Sequence, residues 1–266
     1  MAEDGAAGYG LDNAWRGALA RLTSLEEWLD PATIRHLRAR GVGTGGRCLE
    51  IGGGAGSIAR WLCGEVGSAG EVVATDIDTR FLARLAGAHL RVLRHDITAD
   101  DLPDSAFDLV HCRLVLAHLP QRQAVLRKLL GALRPHGQLV AEEMDFVSVS
   151  ADEGQPPGRA FNESVAVSND VLRGRGFDPT CGRRLLADFR AAGLADVGTE
   201  GHVRLWPGRS AGAAAWQLTF EQLRTEMTAR GLDDSTVAAA IGACQDPGFS
   251  FMSQVTMTAW GRRSAS

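Results

Sequence analysis

The densest chemistry in the chain is the run Glu50-Ile51-Gly52-Gly53-Gly54-Ala55-Gly56-Ser57. Glycines admit left-handed backbone and let a ligand lie directly against the main chain. Four of them in five positions cost chain entropy that only a close approach would justify. An apolar run precedes the turn and a helical pattern follows it, so the glycines lead into a helix N-terminus. The free N–H groups there favour a negative group such as a carboxylate. Two further acids repeat the arrangement. Asp76 closes a second strand-like run, and His95-Asp96-Ile97 closes a third. In an open parallel sheet, ligands bind in the crevice outside such strand ends.

Two ligand classes compete for this pattern. Gly54-x-Gly56-x-x-Ala59, with Asp76 twenty residues beyond Gly56, fits the dinucleotide fingerprint. A nicotinamide or flavin enzyme is therefore one alternative. Glu50 argues the other way. It stands two residues before the first glycine, where its charge would repel a pyrophosphate and attract a cation. S-adenosylmethionine (SAM) carries an ammonium and a sulfonium. Asp76 can accept both hydroxyls of its ribose, Ile77 can lie on its adenine, and Asp96 can accept from the adenine amino group.

The elements that must position these groups alternate between strand and helix. Strands are expected over Cys48–Ile51, Glu71–Thr75, Leu90–Arg94, Phe107–Cys112 and Gln138–Asp145, with helices over 57–66, 79–86 and 120–133. Such alternation implies a mainly parallel sheet covered on both faces. Before residue 45, apolar residues from Leu11 to Leu29 recur at helical spacing, and Asp30-Pro31 supplies an N-cap and first-turn proline for a second helix ending near Gly41. Beyond Ser150, helices are expected over 158–173, 182–192, 213–230 and 234–243, with strands over 197–205 and 251–260. The division is a helical lid over 1–45 and a cofactor-binding domain over 46–266, with cap helices at about 151–192 and 211–245.

On these residues the chain resembles the class I SAM-dependent methyltransferases, in particular the ubiquinone/menaquinone-biosynthesis type. Its look is nearest to the small-molecule methyltransferases of actinomycete metabolism. The resemblance rests on Cys48–Gly56, Ala74-Thr75-Asp76-Ile77-Asp78, His95-Asp96-Ile97, Phe107-Asp108-Leu109-Val110, Leu116-Ala117-His118-Leu119-Pro120 and Leu133–Leu139. In the last of these His136 replaces the first glycine of the common form. The resemblance implies an α/β fold: a Rossmann-like seven-stranded sheet of order 3-2-1-4-5-7-6, its last strand antiparallel, with N-terminal helices and a helical cap. It also implies roles. Glu50, Gly52, Gly54 and Gly56 would cradle the methionine part of SAM and its ribose. Asp76 and Ile77 would meet ribose and adenine, Asp96 and Ile97 the adenine, and Cys112 and Arg113 would flank the methionine moiety. Tyr9 or Arg21, in the N-terminal segment that closes over the cofactor, would hold its carboxylate.

Methyl transfer from SAM is an in-line displacement, so the enzyme mainly aligns the acceptor, excludes water and receives a proton. The expected product is S-adenosylhomocysteine. His118 is the first candidate base or orienting group. Glu142, Glu143 and Asp145 leave the fifth strand, and period-two alternation sets Glu143 and Asp145 on one face and Glu142 on the other. Of these, Asp145 is the second candidate. His111, inside the fourth strand, reads as a core histidine. Phe161, Trp216, Phe220, Met227 and Phe249 either line an acceptor pocket or fill the core of the cap. A cyclase or other non-methylating protein that holds SAM on the same fold is the second alternative.

Composition narrows the remaining classes. The 266 residues are 45% hydrophobic and 23% charged, ordinary values for a folded chain. The net charge of −4 and the scattered arginines lack the basic stripe of a nucleic-acid enzyme. Five dispersed cysteines without a C-x-x-C pair suggest free thiols, with neither disulfides nor a zinc site. The first ten residues lack the basic-then-apolar pattern of a secretory signal, and no run is long enough to span a bilayer. The expectation is a cytoplasmic monomer or homodimer acting on a small molecule, with no metal, membrane or nucleic-acid partner.

Overall fold

The computed structural model describes Leu11 and residues 13–265. Seven strands form the central sheet: β1 (Arg47–Ile51), β2 (Glu71–Asp76), β3 (Leu90–Arg94), β4 (Phe107–Arg113), β5 (Leu133–Asp145), β6 (Ala195–His202) and β7 (Val255–Arg262). Their order is β3-β2-β1-β4-β5-β7-β6, with β7 antiparallel to both neighbours and the other pairings parallel. Glu50 pairs with Ala74 and His111, so the ends of β1, β2 and β4 lie level.

Alternation along the strands explains the layers. Cys48, Val72, Ala74, Leu109 and Val140 bury one face beneath helices α1 (Ala18–Ala39) and α2 (Ser57–Val66), together with Leu37, Ile58 and Leu62. Leu49, Ile51, Val73, Val110 and Leu139 bury the opposite face, with Leu126 and Leu129 of α3 (Arg122–Ala132) and Leu185 and Phe189 of α5 (Cys181–Ala191). Both sheet faces are thus covered and mostly apolar, as parallel strands require, with Glu50, His111 and Glu142 as buried exceptions on the first.

Helices α4 (Gly158–Arg173), α6 (Ala211–Ala229) and α7 (Asp234–Gln245) pack on one another, and α1 lies against α6. Phe161, Trp216, Phe220 and Phe249 meet at ring-centroid distances of 5.4 to 6.1 Å inside this group. Helix α5, which the sequence reading groups with the cap, packs instead on β5, β6 and β7.

Several expected elements differ. The two N-terminal helices are one: α1 runs through Pro31. Proline inside a helix loses one hydrogen bond and costs about 3 kcal/mol. Burial of Trp28, Leu29, Thr33 and Leu37 along the same helix offsets that cost. Asp30 caps nothing; its carboxylate pairs with Arg113 at 2.9 Å. The helix expected over 79–86 shrinks to a 3-10 turn at Ala83–Leu85, with Leu82 and Leu85 set against the glycine turn. The two C-terminal strands each break in two. Their extra pieces, Leu205–Pro207 and Ser250–Met252, join Ser150–Ala151 in a second, three-stranded sheet that the sequence does not announce. His136 adopts φ +67° in the turn where a glycine is usual. Among the described residues no helix is long and apolar enough to cross a membrane.

Candidate active site

Gly52, Gly54 and Gly56 all have left-handed φ, at +68°, +56° and +94°. The turn is pinned by Gly53 N–H donating to the Thr75 carbonyl and Gly54 N–H donating to Asp76 Oδ2, each at 3.0 Å. A β-carbon at Gly52 would collide with Val115, and one at Gly56 with Leu85. The glycines therefore let the turn nest between the loop after β4 and the segment after β2.

Above this turn opens a cavity of about 760 Å³. Its lining brings together Glu50, Gly52, Gly54, Asp76, Ile77, Asp96, Ile97, Arg113 and His118. Glu26, Asp78 and Asp100 add three more carboxylates to the wall, against two arginines, Arg94 and Arg113. Arg113 is already held by Asp30 and by the Thr33 hydroxyl, to which it donates at 2.8 Å. Asp78 is likewise paired with Arg80 at 2.6 Å, and Glu50 with His111. That leaves Glu26, Asp76, Asp96 and Asp100 against Arg94 among the described lining residues. The cavity is thus electronegative, which favours a cationic ligand and opposes a pyrophosphate. Asp76 also accepts from Asp78 N–H at 3.0 Å. Burial raises its pKa, against the lowering effect of the Asp78 and Gly54 amides. Asp96 accepts from the Thr98 hydroxyl and amide at 2.7 and 2.8 Å, and these bonds lower its pKa. Ile77 keeps 44% of its surface exposed at the rim, apolar area that a flat ring could cover.

Other expected residues fall elsewhere. Gly56 lies outside the cavity lining and serves packing against Leu85. Cys112 is fully buried in the core of the opposite sheet face, its thiol pKa pushed well up by burial. Arg21 is buried, yet lines a second, smaller cavity rather than the large one. Asp145 lines neither cavity; Arg183 on α5 holds its carboxylate at 2.9 Å. Asp145 is therefore not among the residues gathered at either cavity. Tyr9 lies outside the described residues. The α2 N-terminus is also committed: Glu26 accepts from Ser57 N–H at 3.0 Å, so the carboxylate there comes from α1. Among the described residues no group of three or more His, Cys, Asp or Glu could hold a metal ion.

His118 lines both cavities and packs on Phe177 at 4.9 Å between ring centroids. Burial first, and the charge of Arg21 second, lower its pKa to about 4. The imidazole is neutral near pH 7 and is a weak base. Leu114, between β4 and His118, holds φ +56° and also lines both cavities. Left-handed backbone in a branched residue is strain of the kind concentrated at functional sites.

Sequence reasoning missed a buried relay behind Glu50. His111, fully buried, places Nδ1 2.6 Å from Glu50 Oε2 and Nε2 3.6 Å from Glu142 Oε2. Glu142 accepts from the hydroxyls of Thr33 and Thr258. Burial disfavours a charged imidazole, but Glu50 and Glu142 outweigh it and bring the His111 pKa to about 9. Burial likewise pushes Glu142 up, but His111 and Arg113 draw it down to about 2. The only sequence signal was a polar residue at an inward position of β4 facing two acids two strands apart.

This charged relay has a consequence for stability. A histidine raised in the folded state contributes fully below its unfolded pKa near 6.5 and loses that contribution as pH rises through about 9. The melting temperature should fall between pH 6.5 and 9, by an amount on the order of 5 °C. Replacing His111 by Gln should flatten that slope. The same pH slope in both proteins would contradict a charged His111.

The geometry defines a class: a seven-stranded sheet of this order, with a glycine turn and acids at three strand ends, is the class I SAM-dependent methyltransferase fold. Comparison with known proteins agrees. Residues 49–139 match the family described as a methyltransferase domain, which spans β1 into β5. More particularly, the chain is similar to ubiquinone/menaquinone biosynthesis C-methyltransferases UbiE. It is 32% identical to that of Ectopseudomonas mendocina over 111 residues, 39% of this chain and 43% of the relative. It is 35% identical to that of Laribacter hongkongensis over 117 residues, 42% and 48% of the two chains. The chain thus spans less than half the length of these relatives. Among solved structures, Haemonchus contortus phosphoethanolamine N-methyltransferase 2 in complex with S-adenosyl-L-methionine shares the fold. Its TM-score is 0.59 at 15% identity, covering 97% of this chain and 60% of that one.

Proposed function

We propose that this protein transfers the methyl group of SAM to a small-molecule acceptor, a secondary metabolite, and releases S-adenosylhomocysteine. One observation carries the reading: Glu50, Asp76 and Asp96, from the ends of three neighbouring strands, line a single electronegative cavity floored by Gly52 to Gly54. In this reading Asp76 accepts the ribose hydroxyls, Ile77 and Ile97 enclose the adenine, and Asp96 faces its amino group. Glu50 takes the cationic methionine end, and His111 behind it, itself facing Glu142, holds its carboxylate in place. The methyl group then faces the region of Leu25, Leu114 and His118, which lines both cavities. His118, neutral near pH 7, orients the acceptor there and gives up no proton of its own charge. The sulfonium is already a good leaving group, so alignment supplies most of the acceleration.

The test is mass spectrometry of the recombinant protein's products with SAM and a panel of aromatic hydroxyl, amine and polyketide-like acceptors. A product heavier by one methyl group, with equimolar S-adenosylhomocysteine, is expected. An isomer of the acceptor, formed without consumption of SAM, would contradict methyl transfer.

A further inference from the structure

We propose that the Glu50–His111–Glu142 relay couples cofactor binding to a proton: His111 gives one up as cationic SAM seats against Glu50 and recovers it when the neutral product leaves. His111 is thereby a positioning residue that weights the site towards the charged cofactor. The proposal rests on the methyl-transfer reading above and adds a regulation of the same site. Geometry carries it. His111 is fully buried, with Nδ1 2.6 Å from Glu50 Oε2 and Nε2 3.6 Å from Glu142 Oε2. Each ring nitrogen thus faces a carboxylate oxygen. A neutral imidazole would turn a lone pair on one of them, and only the imidazolium presents N–H to both. Two carboxylates and one imidazolium leave the relay one net negative charge.

Of the three side chains only Glu50 lines the large cavity. A cation seated there competes with His111 for the same carboxylate and repels the imidazolium behind it. Both effects favour the neutral ring. The proton passes from Nδ1 to Glu50 Oε2 along the 2.6 Å contact, and from Glu50 to water in the cavity. The N–H bond breaks with its pair left on nitrogen, and an O–H bond forms and then breaks. The relay goes from one to two negative charges, which strengthens its hold on the cofactor. The sulfonium of SAM adds to this effect, and S-adenosylhomocysteine has none. Once the methyl group has left, the ring takes a proton back from water through Glu50, and the weaker hold eases product release.

The surroundings suit this exchange. Burial opposes a charged His111 ring, but the two carboxylates outweigh it and raise the pKa to about 9, so the unliganded relay is protonated at pH 8. Around Glu142 stand Thr33 of α1, Thr258 of β7 and the charge of Arg113 on β4. Arg35 and His36 of α1 and His202 of β6 also feel Glu142, and burial lowers the pKa of both histidines. On the neighbouring strands burial pushes the Cys48 thiol up to about 12 and the Cys112 thiol well up. Helix α2 brings apolar Ile58, Ala59 and Leu62 to this face. Glu143, raised by burial to about 8, points to the opposite face of β5.

The experiment is titration calorimetry of the full chain at pH 8 with SAM and, separately, with S-adenosylhomocysteine. Each titration is run in two buffers of different ionisation enthalpy, which counts the protons released per ligand bound. The native protein should release at least about 0.5 proton more per SAM than His111→Gln, with a smaller difference for S-adenosylhomocysteine. Comparison with the variant cancels the contributions of Glu143 and of the ligand's own amino group. The native protein alone supplies a second measurement, by nuclear magnetic resonance with isotope-labelled histidine. One imidazolium signal among the seven histidines should persist at pH 8, where an ordinary histidine is neutral, and fade on saturation with SAM. Equal proton counts in native protein and variant would overturn the proposal, as would equal differences for SAM and S-adenosylhomocysteine. So would absence of the imidazolium signal, or its persistence at full saturation, whether or not the variant folds. Failure of the native protein to bind either SAM or S-adenosylhomocysteine would instead remove the methyl-transfer reading beneath it.

Discussion

Replacing Gly52 by valine should abolish measurable binding of S-adenosylhomocysteine, a loss of at least about 100-fold, or roughly 2.7 kcal/mol. Two effects act together. The residue holds φ +68°, which a β-branched side chain adopts only with strain. Its β-carbon would also collide with Val115, on the loop that places Leu114 and His118. The turn would have to shift away from Glu50, and the floor of the cavity with it. Gly54→Val is a useful companion, because there the nearest side-chain atom, Leu22 Cδ2, lies 3.8 Å from the added carbon. That variant carries backbone strain without a clash inside the protein, so its loss of affinity would report the space the ligand needs. Calorimetry on variants that retain native circular dichroism checks both. Affinity within twofold of the native protein at Gly52→Val would exclude the glycine turn from the ligand site.

Asp76→Ala should weaken S-adenosylhomocysteine by about 100-fold, since hydrogen bonds to a charged group are worth about 1.5–3 kcal/mol each. The carboxylate does two things. It holds the turn through Gly54 N–H, and it presents its remaining lone pairs to the cavity. Asp76→Asn keeps an acceptor oxygen and should lose only about tenfold. Equal losses in the two variants would mean that charge, rather than acceptance from two hydroxyls, sets the contribution. Unchanged affinity in Asp76→Ala would place the ribose elsewhere.

Much of this site could be read from residue types because its logic is local. A glycine run after a short apolar strand, and acids that close the next strands, are visible in order along the chain. The sheet order followed from resemblance and matches the pairing observed. What stayed hidden depends on contacts between distant segments. Nothing local tells that Asp145 would meet Arg183 of α5, or that Glu143, two residues earlier on the same face, would accept from the amides of Val115 and Leu116. Cys112 and Arg113 part for a simple reason: they are neighbours on a strand, so only one of them, Arg113, faces the cavity. Pro31 misled because a strong local signal was overridden by burial on either side of it. The His111 relay escaped because its partners lie 61 and 31 residues away, on strands that flank it only in the folded sheet.

The site's electronegativity separates the two cofactor classes that the glycine turn alone leaves open. Among the described residues six carboxylates, those of Glu26, Glu50, Asp76, Asp78, Asp96 and Asp100, line the large cavity. A cofactor bearing a pyrophosphate would have to lie among them.

The most direct measurement is therefore calorimetric titration of the native protein with SAM, S-adenosylhomocysteine and NADH under one set of conditions. Saturable binding of SAM and S-adenosylhomocysteine, with none of NADH, is the predicted result. Binding of NADH without either SAM or its product would contradict the account at its root.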